Sequence, residues 1–134
     1  MAFKFSEKSC EKLKGIHKDL VAVVNKALEY SKVDFGISEG LRTAQRQLEL
    51  YSQKKSLTMN SRHLYGLAID IYAFVNGAVN WETKYYVQIA NAFDKASKEL
   101  SIPIRWGGTF KGLADYCHFE LDRSKYPDVK TNNA

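Results

Sequence analysis

Apolar positions in the first third of the chain recur at helical spacing. Leu13, Ile16, Leu20, Val23, Val24, Ala27 and Leu28 line one face. Ser6 or Ser9 can cap this stretch, so the pattern predicts one helix running to about Tyr30. Lysines 8, 12, 14, 18 and 26 fall mostly on the opposite face and read as a solvated surface, and His17 reads as a helix residue rather than a ligand. The period then shortens. Residues 33–38 alternate and predict a strand. Thr43 is a good N-cap for a second helix to about residue 54, with Leu48, Leu50 and Tyr51 as its packing residues. A polar loop over 54–60 follows.

Residues 67–75 form a largely apolar run that reads as a strand and contains Asp70. Asn76-Gly77 is a hairpin signal, so residues 78–81 are expected to pair back antiparallel, leaving Asp70 well inside a sheet. A long helix is predicted from Glu82 to about Leu100, with Tyr86, Ile89, Ala90, Phe93, Ala96 and Leu100 on its buried face. Residues 118–121 finish the sheet. Alternation puts His118 and Glu120 on one face and Phe119 and Leu121 on the other. Glu120 is then either a partner to His118 or a solvent-facing strand carboxylate. The tail from Asp122 is polar and expected to be loose. The pattern predicts an α+β fold in a single compact domain, residues 1–134, with helices packed on a small, mainly antiparallel sheet.

Composition adds little to the fold and more to the partners. With 134 residues, 45% of them hydrophobic, the chain is long enough for one real core. A net charge of +5 favours an anionic partner without choosing among nucleic acid, lipid and envelope polymer. The two cysteines, Cys10 and Cys117, suggest reduced thiols rather than a disulfide framework. The charged N-terminal segment does not read as a secretion signal, and no apolar run reaches bilayer length, so stable membrane insertion is not expected.

The candidate chemistry gathers in two places. His63 and Asp70 flank Gly66, with His63 on a loop or short turn and Asp70 on the apolar strand. A carboxylate in such a run is costly unless it is paired or metal-bound. Further on, Asp115 precedes His118 by three residues. His63, Asp70 and His118 together would make a two-histidine, one-carboxylate set. Three protein ligands leave zinc an open position, the pattern of a catalytic site. Asp115 would then be a nearby carboxylate able to take a proton. Cys117 as a fourth ligand is disfavoured because it directly precedes His118. Ser61 either caps the local turn, orients His63 or touches substrate. Arg42 sits at an element junction, as a rim cation or a pocket residue.

These residues carry a resemblance. Ser61-x-His63-x-x-Gly66-x-Ala68-x-Asp70 resembles the first signature of the zinc D-Ala-D-Ala peptidase/L-alanyl-D-glutamate endopeptidase family, and Asp115-x-x-His118 resembles the second. Arg42-Thr43 with Gln47, and Trp106-Gly107-Gly108, resemble the upstream arginine segment and the turn before the second signature. Thr109-Phe110 departs from the Asp-Trp often found there. The length and the aspartate at 115 are most similar to phage lysis endopeptidases (endolysins).

The resemblance implies a Hedgehog/DD-peptidase-like fold and Zn²⁺ held by His63, Asp70 and His118. It implies Asp115 as catalytic base and Arg42 in catalysis and substrate binding, with Ser61 also at the substrate. The implied substrate is the peptidoglycan stem peptide, cut between L-alanine and D-glutamate. A D-Ala-D-Ala dipeptidase or carboxypeptidase is the alternative within the family. A basic, non-catalytic module for envelope polymer or nucleic acid, with structural zinc, is the alternative outside it, although no nucleic-acid fingerprint is present. The expected protein is a monomer without a separate cell-wall-binding domain. It would be held in the host cytoplasm before lysis and reach the cell wall through a separate membrane-permeabilising protein.

Overall fold

The computed structural model describes residues 3–55, 61–110 and 114–127. Most of the predicted loop at 54–60 and the last part of the predicted tail, 128–134, lie outside the described residues.

The first helix is two. α1 spans Glu7–Lys12, capped by the Ser6 hydroxyl, and α2 spans Lys18–Tyr30. The break is made by Gly15, whose φ of +82° is a left-handed conformation that side chains with a Cβ resist. A Cβ there would also press on Leu41. His17 is no ligand. Its Nδ1 accepts from the Asp19 N–H and caps α2. The corner between the two helices rests on later loops: the His17 N–H donates to the Gly66 carbonyl, and the Lys12 carbonyl packs against Gly40 so closely that no Cβ would fit.

β1 (Asp34–Glu39), β2 (Ala68–Val75), β3 (Ala78–Asn80), β4 (Ile104–Trp106) and β5 (His118–Leu121) form one sheet in the order β1-β2-β5-β4. β3 pairs with β2 further along, through the Asn76-Gly77 turn, and every described pairing is antiparallel. α3 covers Ala44–Ser52, a 3-10 turn covers Arg62–Tyr65, and α4 covers Thr83–Leu100.

One face of the sheet is the core. Ile69, Ile71 and Ala73 of β2, Phe35 and Ile37 of β1, and Phe119 and Leu121 of β5 are buried there against α2 and α4. Phe93 of α4 links the layers: its ring stacks on Phe119 at 3.9 Å and meets Phe35 at 5.5 Å. Burying each such ring contributes about 1.5–3 kcal/mol. The opposite face of β2 carries Asp70, Tyr72 and Phe74, so the period-2 alternation delivers Asp70 to the face away from the helices.

α3 departs from its predicted packing. Leu48 and Tyr51 are 52% and 47% exposed, and the residue it buries is Gln47. A polar tether to the site, described below, holds this helix in place of an apolar stripe. The tail is also tied down as far as described, because the Tyr126 hydroxyl donates to Asp19 and the Tyr126 carbonyl accepts from Arg62.

Tyr86 on α4 secures the hairpin. Its hydroxyl donates to the Asn80 carbonyl at 2.8 Å and accepts from the Ala73 N–H at 3.0 Å. Tyr86→Phe is expected to cost about 1–3 kcal/mol, because it strips a buried partner from two backbone groups at constant volume. A lower urea midpoint at unchanged slope checks this.

Candidate metal centre

Register brings the site together. Across the sheet, Asp70 of β2 stands opposite Glu39 of β1 on one side and His118 of β5 on the other. The 3-10 turn immediately before β2 then folds His63 over Asp70. Ser61 caps that turn by accepting the His63 N–H, and Gly66 ends it. The loop after β1 grips His63 twice: the Arg42 N–H donates to the His63 carbonyl, and the His63 ring Nδ1 meets the Gly40 carbonyl at 3.0 Å.

His63, Asp70 and His118 form one group whose ligand atoms lie within 4.8 Å of one another, a group that could hold a metal ion. His63 Nε2 is 3.3 Å and His118 Nδ1 is 3.1 Å from the same oxygen, Asp70 Oδ1. The donor set fits a cation for a specific reason. A carbonyl only accepts, so His63 donates its Nδ1–H to Gly40 and, as a neutral ring, turns the Nε2 lone pair toward Asp70. That nitrogen is buried and lacks a hydrogen-bond partner among the described residues. A lone pair facing a carboxylate oxygen is unfavourable until a positive charge stands between them. Two imidazole nitrogens and one carboxylate oxygen suit zinc or a similar divalent ion.

Electrostatics in the metal-free group follow from the same contacts. Burial raises the Asp70 pKa, but the His118 and His63 imidazoles outweigh it and hold the carboxyl well below its usual range. Burial lowers that of His118, yet its bonds to Asp70 and to Glu120 (Nε2 to Oε1, 2.8 Å) push it up to about 9. Glu120 is not the solvent-facing carboxylate that remained open from sequence. It is 4% exposed, and its pKa, raised by burial, is lowered further by His118 and by the charges of Arg62 and Arg105.

Asp115 stands at the rim, exposed, in a second close group with Asp70 and Cys117. The Cys117 thiol donates to Asp115 Oδ1 at 3.1 Å. Burial, with Asp70 and Asp115 alongside, pushes that thiol's pKa far up, so it is a poor source of the thiolate a metal needs. Gly107 fixes the height of this segment. Its carbonyl accepts the Asp115 N–H at 2.9 Å, and a Cβ on it would overlap the Asp115 carbonyl and press on His118 Cβ. Phe110, at the Thr109-Phe110 departure, packs beside the His118 ring with centroids 5.7 Å apart.

Arg42 is buried beside the group. Its guanidinium pairs in parallel with both oxygens of Glu39, donates to Gln47 Oε1 at 2.7 Å and to Ser61 Oγ at 3.4 Å, and brings Nη2 to 3.9 Å from Asp70 Oδ2. Gln47 is thus the tether that holds α3. The sequence pattern passes over Glu39 and Arg62. Nothing in the linear order marks Glu39. Arg62 has a signal in its place next to His63 on the same short turn.

Comparison with known proteins sets this arrangement among the peptidases. The chain belongs to the phage L-alanyl-D-glutamate peptidase family, whose model matches residues 1–129, and it is a peptidase. The L-alanyl-D-glutamate peptidase of Escherichia phage T5 is 33% identical over 130 residues, 94% of each chain. The peptidoglycan L-alanyl-D-glutamate endopeptidase CwlK of Bacillus subtilis is 32% identical over 104 residues, 66% of this chain and 61% of CwlK. The crystal structure of the Serratia marcescens L-Ala D-Glu endopeptidase ChiX is similar with a TM-score of 0.88 and 46% identity, covering 95% of this chain and 94% of that one.

Two outcomes follow from the geometry. Gly107→Ala is expected to leave the helices folded while lowering turnover at least about 10-fold, since even a 1 Å displacement near the chemistry is costly; circular dichroism beside an activity assay reads both. In metal-free protein, the His118 pKa rises from 6.5 to about 9 on folding, so its stabilisation is complete below 6.5 and is lost as pH climbs toward 9. That loss is expected to be on the order of 3 kcal/mol. Asp70, shifted down, gives way only in strong acid. The thermal shift caused by an added divalent metal should grow over the same interval, because proton and cation compete for Nδ1.

Proposed function

We propose that this chain is a zinc-dependent peptidoglycan endopeptidase that hydrolyses the L-alanyl-D-glutamate bond of stem peptides. The observation that carries the reading is the convergence of the His63 and His118 rings on one oxygen of Asp70, where a buried His63 nitrogen has no hydrogen-bond partner among the described residues. The bond is supported by the activities for which the phage T5 peptidase, CwlK and ChiX are named.

In this reading His63 Nε2, His118 Nδ1 and Asp70 hold the zinc. A zinc bound there supplies a water of lowered pKa and polarises the attacked carbonyl. The protein does the rest. Asp115, at the rim and close to Asp70, takes the proton of the attacking water and returns it to the amine of the departing D-glutamate. Its neutral neighbour, the Cys117 thiol, steadies the carboxylate by donating to it. Arg42 contributes positive field on the Asp70 side, toward the carbonyl oxygen as charge builds there and toward the acidic substrate. The bidentate grip of Glu39 fixes the plane of that guanidinium and limits how far it can reach. Ser61 acts through the turn it caps and through its contact with Arg42.

The net charge of +5 suits an anionic wall. No helix among the described residues is long and apolar enough to cross a membrane. The proposal includes a monomeric lysis enzyme that meets the wall from the host cytoplasm once a separate protein has permeabilised the membrane; the phage T5 relative, named an L-alanyl-D-glutamate peptidase, is in keeping with the wall as target.

Purified peptidoglycan digested with this protein should yield fragments with new D-glutamate amino termini by mass analysis, and a chelator should abolish them. Release of free D-alanine or its dipeptide, or binding without chelator-sensitive cleavage, would overturn the reading. Asp115→Asn should retain zinc and lose about 10²–10⁴-fold in turnover; near-normal turnover with zinc bound would remove Asp115 from the mechanism.

A further inference from the structure

The site has a part that the reaction above leaves unused: a buried acid and a buried arginine behind His118. We infer that Glu120 and Arg62 are a positioning pair that fixes the ring orientation and tautomer of His118 for metal binding. The inference rests on the metal reading of the preceding section.

His118 faces a carboxylate with each nitrogen, Asp70 from Nδ1 at 3.1 Å and Glu120 from Nε2 at 2.8 Å. A neutral imidazole carries one N–H, and an ionised carboxylate only accepts. If the proton sits on Nδ1, it is spent on Asp70 and the nitrogen has no lone pair for a metal. If it sits on Nε2, Nδ1 is free to coordinate. Glu120 selects the second state by accepting from Nε2. His63 needs no such device, because the neutral Gly40 carbonyl already claims its Nδ1–H. Behind His118 the acceptor is anionic, so that ring is also made the stronger electron donor.

A carboxylate that is 4% exposed needs compensation. Arg62 supplies it. Its Nε is 3.6 Å from Glu120 Oε2, while Nη1 and Nη2 donate to the carbonyls of Tyr126 and Leu121 at 2.6 Å each. Glu120 therefore divides its oxygens, Oε1 to the imidazole and Oε2 to the guanidinium. Arg62 and His63 are neighbours on one 3-10 turn. The element that presents one metal-facing imidazole thus also carries the counter-charge that aligns the other. A packing role alone would not require Oε1 to meet the ring edge at Nε2.

The test compares wild type, Glu120→Gln and Glu120→Ala, each stripped with a chelator, reloaded with Zn²⁺ and checked for fold by circular dichroism. Zinc affinity is read by competition with a chromophoric chelator, and the His118 tautomer by ¹H–¹⁵N imidazole spectra of the loaded proteins. Glu120→Gln should bind zinc about 10-fold more weakly and Glu120→Ala up to about 100-fold more weakly. The alanine variant should also lose the slowly exchanging Nε2–H signal that wild type shows. Should alanine fail to fold, the near-isosteric glutamine variant decides by the same two readouts. Affinities within about threefold of wild type, with the Nε2–H tautomer kept, would overturn the pair's role. Wild type that takes up no zinc would instead overturn the metal reading itself.

Discussion

Asp70 is a carboxylate on the middle strand of a sheet, and the surrounding structure answers the cost of putting it there. Its backbone is paired on both edges, to Glu39 on β1 and His118 on β5. Its side chain therefore cannot swing to water without breaking the sheet. An anion held this firmly in a half-buried position must be met by positive charge. Two imidazoles converge on one of its oxygens and an arginine stands near the other. In the metal-free protein, the His118 imidazole, its pKa raised, and the Arg42 guanidinium supply the charge; a divalent ion held between the rings would add to it. One electrostatic demand thus shapes both the packing around Asp70 and the fitness of the group for a cation.

The outer ring of the site is built from two arginine–glutamate pairs, and they do different work. Arg42–Glu39 lies on the β1 side and ties the start of α3 to the group through Gln47. Arg62–Glu120 lies on the β5 side and reaches the backbone of the tail. Each arginine comes from a loop or turn and each glutamate from a strand, so each pair fastens an irregular segment to the rigid sheet. Pairs like these are weak sources of net stability when buried. Their value is in fixing where loops stop.

Much of this was legible in the chain, for identifiable reasons. The strand over Ala68–Val75 announced itself as an apolar run and that over His118–Leu121 by alternation, which put His118 and Glu120 on one face. The candidate group could be read because an aspartate inside an apolar run carries a desolvation cost that packing alone does not offset, with His63 and His118 as further ligand types. The helix break at Gly15 was missed because the apolar stripe runs through it at unbroken spacing, while the corner rests on contacts distant in sequence, Gly15 against Leu41 and the Lys12 carbonyl against Gly40. Leu48 and Tyr51 misled in the opposite direction: their spacing is helical, but α3 is held by the polar Gln47. Glu39 was illegible, and so was the partner of Arg62, for a related reason. A charged residue announces its partner only in three dimensions, and each of these pairs crosses an element boundary.

The interruption between α1 and α2 reaches further than its own helices. The corner it creates lays the Lys12 carbonyl on Gly40 and the His17 N–H on the Gly66 carbonyl, while Ser9 accepts from Ile37 and Lys12 donates to Ser38. Gly40 is the residue whose carbonyl seats the His63 ring, and Gly66 closes the turn that carries it. The opening segment of the polypeptide is therefore a brace for an imidazole far downstream. Straightening that corner into a continuous rod would keep the apolar stripe intact and still unseat the ring. Here the first helix acts as a wedge driven under the candidate metal group, and its bend gives the wedge its edge.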